Sequence, residues 1–215
     1  MTGIDTTDGL RLEAEWASPE DPLNALVLCH PHPLHGGTMN APLMRSLTRV
    51  LVKSGFAVLR FNFRGVGSSQ GSLSGGSAAV ADVAAAVAAA RRSHPNLPLG
   101  LAGWSFGATT SLRWQSEHQS TLPWAGVAPA VRPYPGVEPP DPSRLEPARR
   151  LIIIGDRDQF ASVEEIETYG AALDARVEVI AGSDHFFIFR EKRLGELLSA
   201  HFAPSSSPAR ETTDG

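Results

Sequence analysis

The chain has 215 residues, 42% of them hydrophobic and 20% charged, with a formal net charge of −4. That length suits one domain with a sizeable core, and the mild acidity excludes the basic footprint of a nucleic-acid or anionic-membrane partner. No apolar run approaches the roughly 18 residues of a membrane-spanning helix, and Met1–Leu10 lacks the basic and apolar regions of a secretory signal. The single cysteine, Cys29, has no partner for an internal disulfide. A reduced cytoplasm is therefore expected, with Cys29 a small buried hydrophobe at a strand end rather than a nucleophile.

Apolar, β-branched runs alternate with helical patterns along the chain, the signature of strand–helix–strand units in a parallel sheet. Strands are predicted over Leu10–Trp16, Ala25–Cys29, Phe56–Phe61, Leu97–Ala102, Trp124–Val127, Leu151–Ile154 and Val177–Ile180. Helices are predicted over Leu43–Lys53, the alanine-rich Ala78–Ser93, Ala108–His118, Val163–Leu173 and Glu191–Phe202. With right-handed crossovers this order gives an α/β three-layer sandwich, a mostly parallel central sheet with helices on both faces, as one domain over residues 1–203. Pro129–Pro147 is too proline-rich for a helix or a central strand and reads as an irregular surface loop, leaving no cap domain. The Ser/Pro-rich tail Pro204–Gly215 is expected to be disordered.

Gly103-Trp104-Ser105-Phe106-Gly107 lies between a predicted strand and a predicted helix. In that context a G-x-S-x-G run places its serine on a sharp turn, with the hydroxyl lifted above the sheet. A hydroxyl is a weak nucleophile, so it needs a base within reach and a carboxylate to orient that base. The expected chain order is Ser, then acid, then His. Leu151–Gly155 runs into Asp156-Arg157-Asp158, and Asp158 is preferred because the fourth residue of G-x-x-D projects over the sheet edge while Asp156 caps the turn. The alternative, Asp156, stays open at this point. His185 follows the last predicted strand on a Gly-preceded, aromatic-flanked loop. By contrast, His94 and His118 lie at polar helix ends, and His201 sits on an amphipathic helix.

An oxyanion needs two donors aimed at one point. The N–H of Phe106, next after the serine, is one candidate. The other is sought in His30-Pro31-His32-Pro33-Leu34-His35-Gly36-Gly37, where Pro31 and Pro33 carry no N–H; His32 comes first and Leu34 second. Three histidines at this spacing also invite a metal reading, but the alternating prolines, which force an extended or turn path, and the lack of an adjacent acid speak against it, and the adjacent Cys29 reads as a buried strand end. Gly65–Gly71 faintly resembles a dinucleotide loop but continues through Gly76 before a helix begins, so it reads as a βα loop walling the site, anchored by Asn62 and Arg64.

Four segments carry a resemblance: His30–Asn40, Arg60–Gly71, the Ser105 elbow and Asp184-His185-Phe186-Phe187. The chain resembles the α/β-hydrolase superfamily and, more narrowly, small lidless bacterial serine hydrolases grouped near dienelactone hydrolase. The resemblance implies Ser105 as nucleophile, Asp158 as acid, His185 as base, and carboxylester hydrolysis as the activity. Two departures stand out. Dienelactone hydrolases carry cysteine where this chain has Ser105, and the Val-Pro pair usual after the acid is replaced by Gln159-Phe160-Ala161-Ser162.

The expected function is hydrolysis of small carboxylic esters through an acyl-enzyme, with no cofactor and no metal. Trp104, Phe160, Phe186 and Leu34 are expected to line the substrate pocket, and Trp104, Phe106, Phe160, Phe186 and Phe187 its apolar acyl part. The expected partner is a small ester, with neither nucleic acid nor membrane, in a monomer or homodimer. A thioesterase, acyltransferase or peptidase would use the same residues, and a non-catalytic small-molecule binding protein is the alternative of a different class.

Overall fold

The computed structural model describes residues 2–73, 76–133 and 136–203. Eight strands form one sheet in the order β1-β2-β4-β3-β5-β6-β7-β8. They are β1 (Thr2–Asp5), β2 (Arg11–Ala17), β3 (Asn24–Cys29), β4 (Phe56–Phe61), β5 (Leu99–Trp104), β6 (Trp124–Val127), β7 (Arg150–Gly155) and β8 (Ala175–Ile180). Pairings β1–β2 and β2–β4 are antiparallel and all others are parallel. Strands β3, β4 and β7 are buried along their whole length, as unbroken apolar runs covered on both faces should be.

The helices are α1 (Pro42–Lys53), α2 (Gly76–Ser93), α3 (Phe106–Glu117), α4 (Val163–Ala172) and α5 (Glu191–Phe202). Helix α1 packs on α5 and α2 on α3, while α4 lies against β8 and β7, completing the expected three layers. The alanine-rich α2 buries Ala79, Val83, Ala86 and Ala90, a stripe at helical spacing. A capping box starts α4: Ser162 Oγ accepts from the Glu165 N–H, and Glu165 Oε2 accepts from the Ser162 N–H. The Gln159–Ser162 departure thus includes a helix cap.

Three differences from the sequence reading have simple causes. Strand β1 was not expected because Thr2–Asp5 is short and polar; it is an edge strand held by the antiparallel register Thr2↔Ala14 to Asp5↔Arg11. The elbow strand runs Leu99–Trp104 rather than Leu97–Ala102, since Pro98 cannot donate to the ladder and instead accepts from the Ala25 N–H. Helix α3 starts at Phe106, two residues early, because the turn at Ser105 is completed in one residue. Within Pro129–Pro147 the described residues include one short turn of 3-10 helix, Pro142–Arg144, capped by Asp141. The tail, residues 204–215, lies outside the described residues.

Candidate active site

Ser105 is the single residue between β5 and α3, at φ 54° and ψ −117°. Left-handed backbone of this kind costs a non-glycine residue roughly 1–3 kcal/mol and persists only where surrounding structure enforces it. Here the Ser105 N–H donates to Val127 O at 2.8 Å, and Ser105 O accepts from the Thr109 N–H at 3.1 Å, closing the first helical turn. The flanking glycines are required by close approach. A Cβ on Gly103 would lie 2.3 Å from Gly107 C, and one on Gly107 would lie 2.4 Å from Cys29 O. Ser105 itself is partly exposed among buried neighbours.

The carboxyl ends of β7 and β8 bring the next two residues together. His185 Nδ1 lies 2.8 Å from Asp158 Oδ2, with side chains 9% and 0% exposed. The other carboxylate oxygen, Oδ1, accepts from the Phe160 and Ala161 N–H groups at 2.8 and 3.1 Å. Asp158 is therefore held at both oxygens, and with Nδ1–H donating to it the His185 Nε2 is left as the acceptor. Asp156 is exposed, and its N–H donates to Ile180 O. The histidine loop is further tied down by the Trp104 indole N–H, which donates to His185 O at 3.1 Å, and by Gln159 Oε1, which accepts from the His185 N–H at 3.3 Å. Trp104 is the residue before Ser105, so one indole links the elbow to the histidine.

On the opposite side, the loop after β3 carries His32 against the start of α3: the His32 and Phe106 rings lie 4.8 Å apart. Phe106 is the first residue of α3, where backbone N–H groups have no intrahelical partner and the helix dipole favours negative charge. The Leu34 N–H donates to His32 Nδ1 at 3.2 Å, so it is already engaged. His30 is fully buried. Its Nδ1–H donates to Pro31 O at 2.7 Å, and its Nε2 accepts from the Phe63 N–H at 3.1 Å. Burial pushes its pKa down to about 4, so it stays neutral. Both His30 nitrogens serve the backbone, and among the described residues no group of three or more His, Cys, Asp or Glu gathers to hold a metal.

Among the residues that support the site, Arg60, Glu13, Asp8 and Asp82 were given no role by the sequence reading, whereas Asn62 and Arg64 were expected as loop anchors. Asn62 Oδ1 accepts from the Met39 N–H at 2.8 Å, and Arg60 donates to Met39 O at 2.8 Å, pinning the far end of the His32 loop. Asn62 Nδ2 in turn donates to Glu13 Oε2, which also accepts from the Ser68 N–H. Arg64 meets the fully buried Asp82 through Nε at 2.9 Å and Nη2 at 2.7 Å, and Asp8 through Nη1 at 2.9 Å. Asn62 and Arg64 thus anchor the Gly65 loop as their position suggested; Ser74 and Gly75 of that loop lie outside the described residues. No short sequence pattern announces Glu13, Gln159 or Arg60, because each acts on a residue far along the chain.

The remaining expectations divide. His201 Nε2 lies 3.0 Å from Trp124 O, and burial lowers its pKa to about 4, a structural role. Cys29 is buried at the end of β3, and burial pushes its thiol up, out of the nucleophilic range. Phe187, expected at a pocket wall, is buried in the core instead. Trp104 is buried beneath His185, whereas Leu34, Phe160 and Phe186 stand exposed at the rim. Among the described residues no helix is long and apolar enough to cross a membrane.

Comparison with known proteins agrees with this geometry. The family model described as serine aminopeptidase, S33, matches residues 25–152, a span holding the Ser105 elbow and the His32 loop. An uncharacterized protein of Rickettsia prowazekii is 32% identical over 202 residues, covering 88% of this chain and 83% of its own. An α/β serine hydrolase homologue from Coxiella burnetii superposes with a TM-score of 0.82 at 32% identity, covering 94% of this chain and 96% of that one. A lidless α/β serine hydrolase from Xanthomonas campestris gives 0.78 at 26% identity, covering 96% and 95%. The chain belongs to the serine aminopeptidase S33 family of the α/β-hydrolase superfamily and is a hydrolase of the serine type.

Proposed function

We propose that this hydrolase cleaves carboxylic esters through an acyl-enzyme on Ser105, with His185 as base, Asp158 as the orienting acid, and the Phe106 and His32 amides as oxyanion donors. The observation that carries the reading is the 2.8 Å His185–Asp158 contact on a loop that the Trp104 indole ties to the residue before Ser105, itself at φ 54° after β5. His185 Nε2 takes the Ser105 proton as Oγ attacks the carbonyl carbon. The tetrahedral oxyanion forms at the amino end of α3, where each aligned donor is worth about 3 kcal/mol in the transition state. His185 then protonates the leaving alcohol, and later activates the water that releases the acid.

The family description also raises amide cleavage at a free amino terminus. Such a substrate presents an ammonium that wants a carboxylate partner. Asp158 is engaged with His185, Asp184 Oδ1 accepts from the Phe186 N–H, and the rings packed on His185 belong to Trp104, Phe160 and Phe186. These surroundings favour an uncharged ester. The test is a panel of p-nitrophenyl esters from acetate to palmitate beside amino-acid p-nitroanilides, run on the protein and on Ser105→Ala. Ester hydrolysis that vanishes in the variant, falls with acyl length and shows no jump at the micellar threshold is expected of a small ester substrate at a lidless site. Cleavage of the anilides alone would move the assignment to a peptidase, and no turnover with no fluorophosphonate labelling would favour a binding protein.

A further inference from the structure

Exposed apolar side chains are unevenly distributed over this protein. Among the described residues seven large ones are exposed; Leu34, Phe160, Phe186, Ile188 and Phe189 follow β3, β7 and β8, at the sheet edge where Ser105 lies, while Leu23 and Val179 are elsewhere. Two of these contact the imidazole directly. The Phe160 ring is 4.6 Å from His185 at 70°, and the Phe186 ring is 5.7 Å away at 85°, its other side 6.3 Å from Trp104. Both are fixed through their backbones by carboxylates: the Phe160 N–H by Asp158 Oδ1, the Phe186 N–H by Asp184 Oδ1. The carboxylate that orients the base therefore also orients Phe160. The loop accepts backbone strain as well, with Phe187 at φ 53° and Phe189 at φ 62°. Burial of Phe187 compensates its strain, but Phe189 is 86% exposed, so core packing does not explain its conformation.

Reaction chemistry states which half of an ester meets these rings. In acylation the Ser105 Oγ–carbon bond forms as the hydroxyl proton passes to His185 Nε2. The bond from carbon to the alcohol oxygen breaks as that proton passes to the departing oxygen, freeing a neutral alcohol. Water then adds at the same carbon, and the carboxylic acid leaves with the serine hydroxyl restored. Groups packed around the imidazole thus stand beside the alcohol half, whereas Phe106 and His32 stand beside the carbonyl oxygen. We propose that Phe160 and Phe186, over Trp104, form the binding site for an apolar, aromatic alcohol moiety, so that the substrates are esters of arylalkyl alcohols. This rests on the Ser105–His185 reading above.

Two isomers test it at equal composition and similar leaving-group acidity within each series: benzyl acetate carries its ring on the alcohol, methyl phenylacetate on the acyl group. Benzyl acetate is expected to have the larger kcat/KM by about tenfold, the size of preference an apolar pocket gives. Phe160→Ala and Phe186→Ala replace exposed side chains and leave the fold intact; the ratio is expected to fall about fivefold in each, through KM. A lengthening series of acetates from methyl through benzyl to 2-naphthylmethyl should show the same ordering. Ser105-dependent hydrolysis with a ratio near one, or reversed, overturns the alcohol-side assignment alone. Absence of Ser105-dependent hydrolysis of either isomer overturns the ester reading with it. A ratio unchanged in both variants, together with their loss of self-association or of binding to phosphatidylcholine–phosphatidylglycerol vesicles, reassigns the rings to a partner surface and also overturns the proposal.

Discussion

The two walls of the site are held by different means. The His32 side is a polar scaffold: His30, Asn62 and Arg60 fix both ends of its loop through buried hydrogen bonds to Phe63 N–H and to Met39 N–H and O. The His185 side has one buried carboxylate at its centre, and its outward surface carries the exposed rings of Phe160, Phe186 and Phe189, the last at φ 62°. On the proposed mechanism, rigidity suits the side that would present fixed donors to a developing oxyanion, since preorganised dipoles reorganise least. Exposed apolar surface suits the side where the proposed alcohol moiety would be captured and released.

Substitutions on the two sides should therefore separate rate from stability. The largest effect is expected at the centre of the His185 wall, where Asp158→Asn should lower kcat about ten-thousandfold. The exposed Asp156, as Asp156→Asn, should stay within about threefold, because surface substitutions of this kind change little. Steady-state kinetics on the two variants checks this, and the reverse result would transfer the acid role to Asp156. Next comes the scaffold. His30→Ala leaves the buried Phe63 N–H without its acceptor and is expected to destabilise the fold by about 3 kcal/mol, read by urea unfolding.

A smaller, pH-dependent effect follows from burial. Desolvation holds His30 and His201 at about 4, whereas an unfolded histidine titrates near 6.5. Between those values the unfolded chain binds more protons, so stability rises with pH there and is lost as pH falls from about 6.5 to about 4. The stability gap between the protein and His30→Ala should shrink across that window and level off below it. Smallest of all, Phe160→Ala removes an exposed ring and should move the thermal midpoint by less than about 2 °C. A large loss there would mean that the rim rings are structural and would remove the contrast between the walls.

What could be read from the sequence follows the same divide. The elbow was legible because its glycines, its strand and its helix are contiguous, and the clash distances at Gly103 and Gly107 show why the spacing is fixed. The candidates Ser105, Asp158 and His185 could be picked out because each follows a strand, and the turn argument preferred the aspartate that lies 2.8 Å from His185. Contacts spanning many residues were not, such as Glu13 with Asn62 or Gln159 with the His185 N–H, since nothing local marks either end. Burial of aromatics was misread for a related reason. Phe186 and Phe187 are chemically identical neighbours, yet Phe187, at φ 53°, is buried in the core and Phe186 is exposed, a difference that no local pattern marks.

The most direct test is covalent. The folded protein is treated with a fluorophosphonate, digested, and the modified peptide located by mass spectrometry, with Ser105→Ala and His185→Ala alongside. The expected result is a single adduct on Ser105, absent in Ser105→Ala and formed far more slowly in His185→Ala. An adduct on any other residue, or none on the folded protein, would contradict Ser105 as an activated nucleophile.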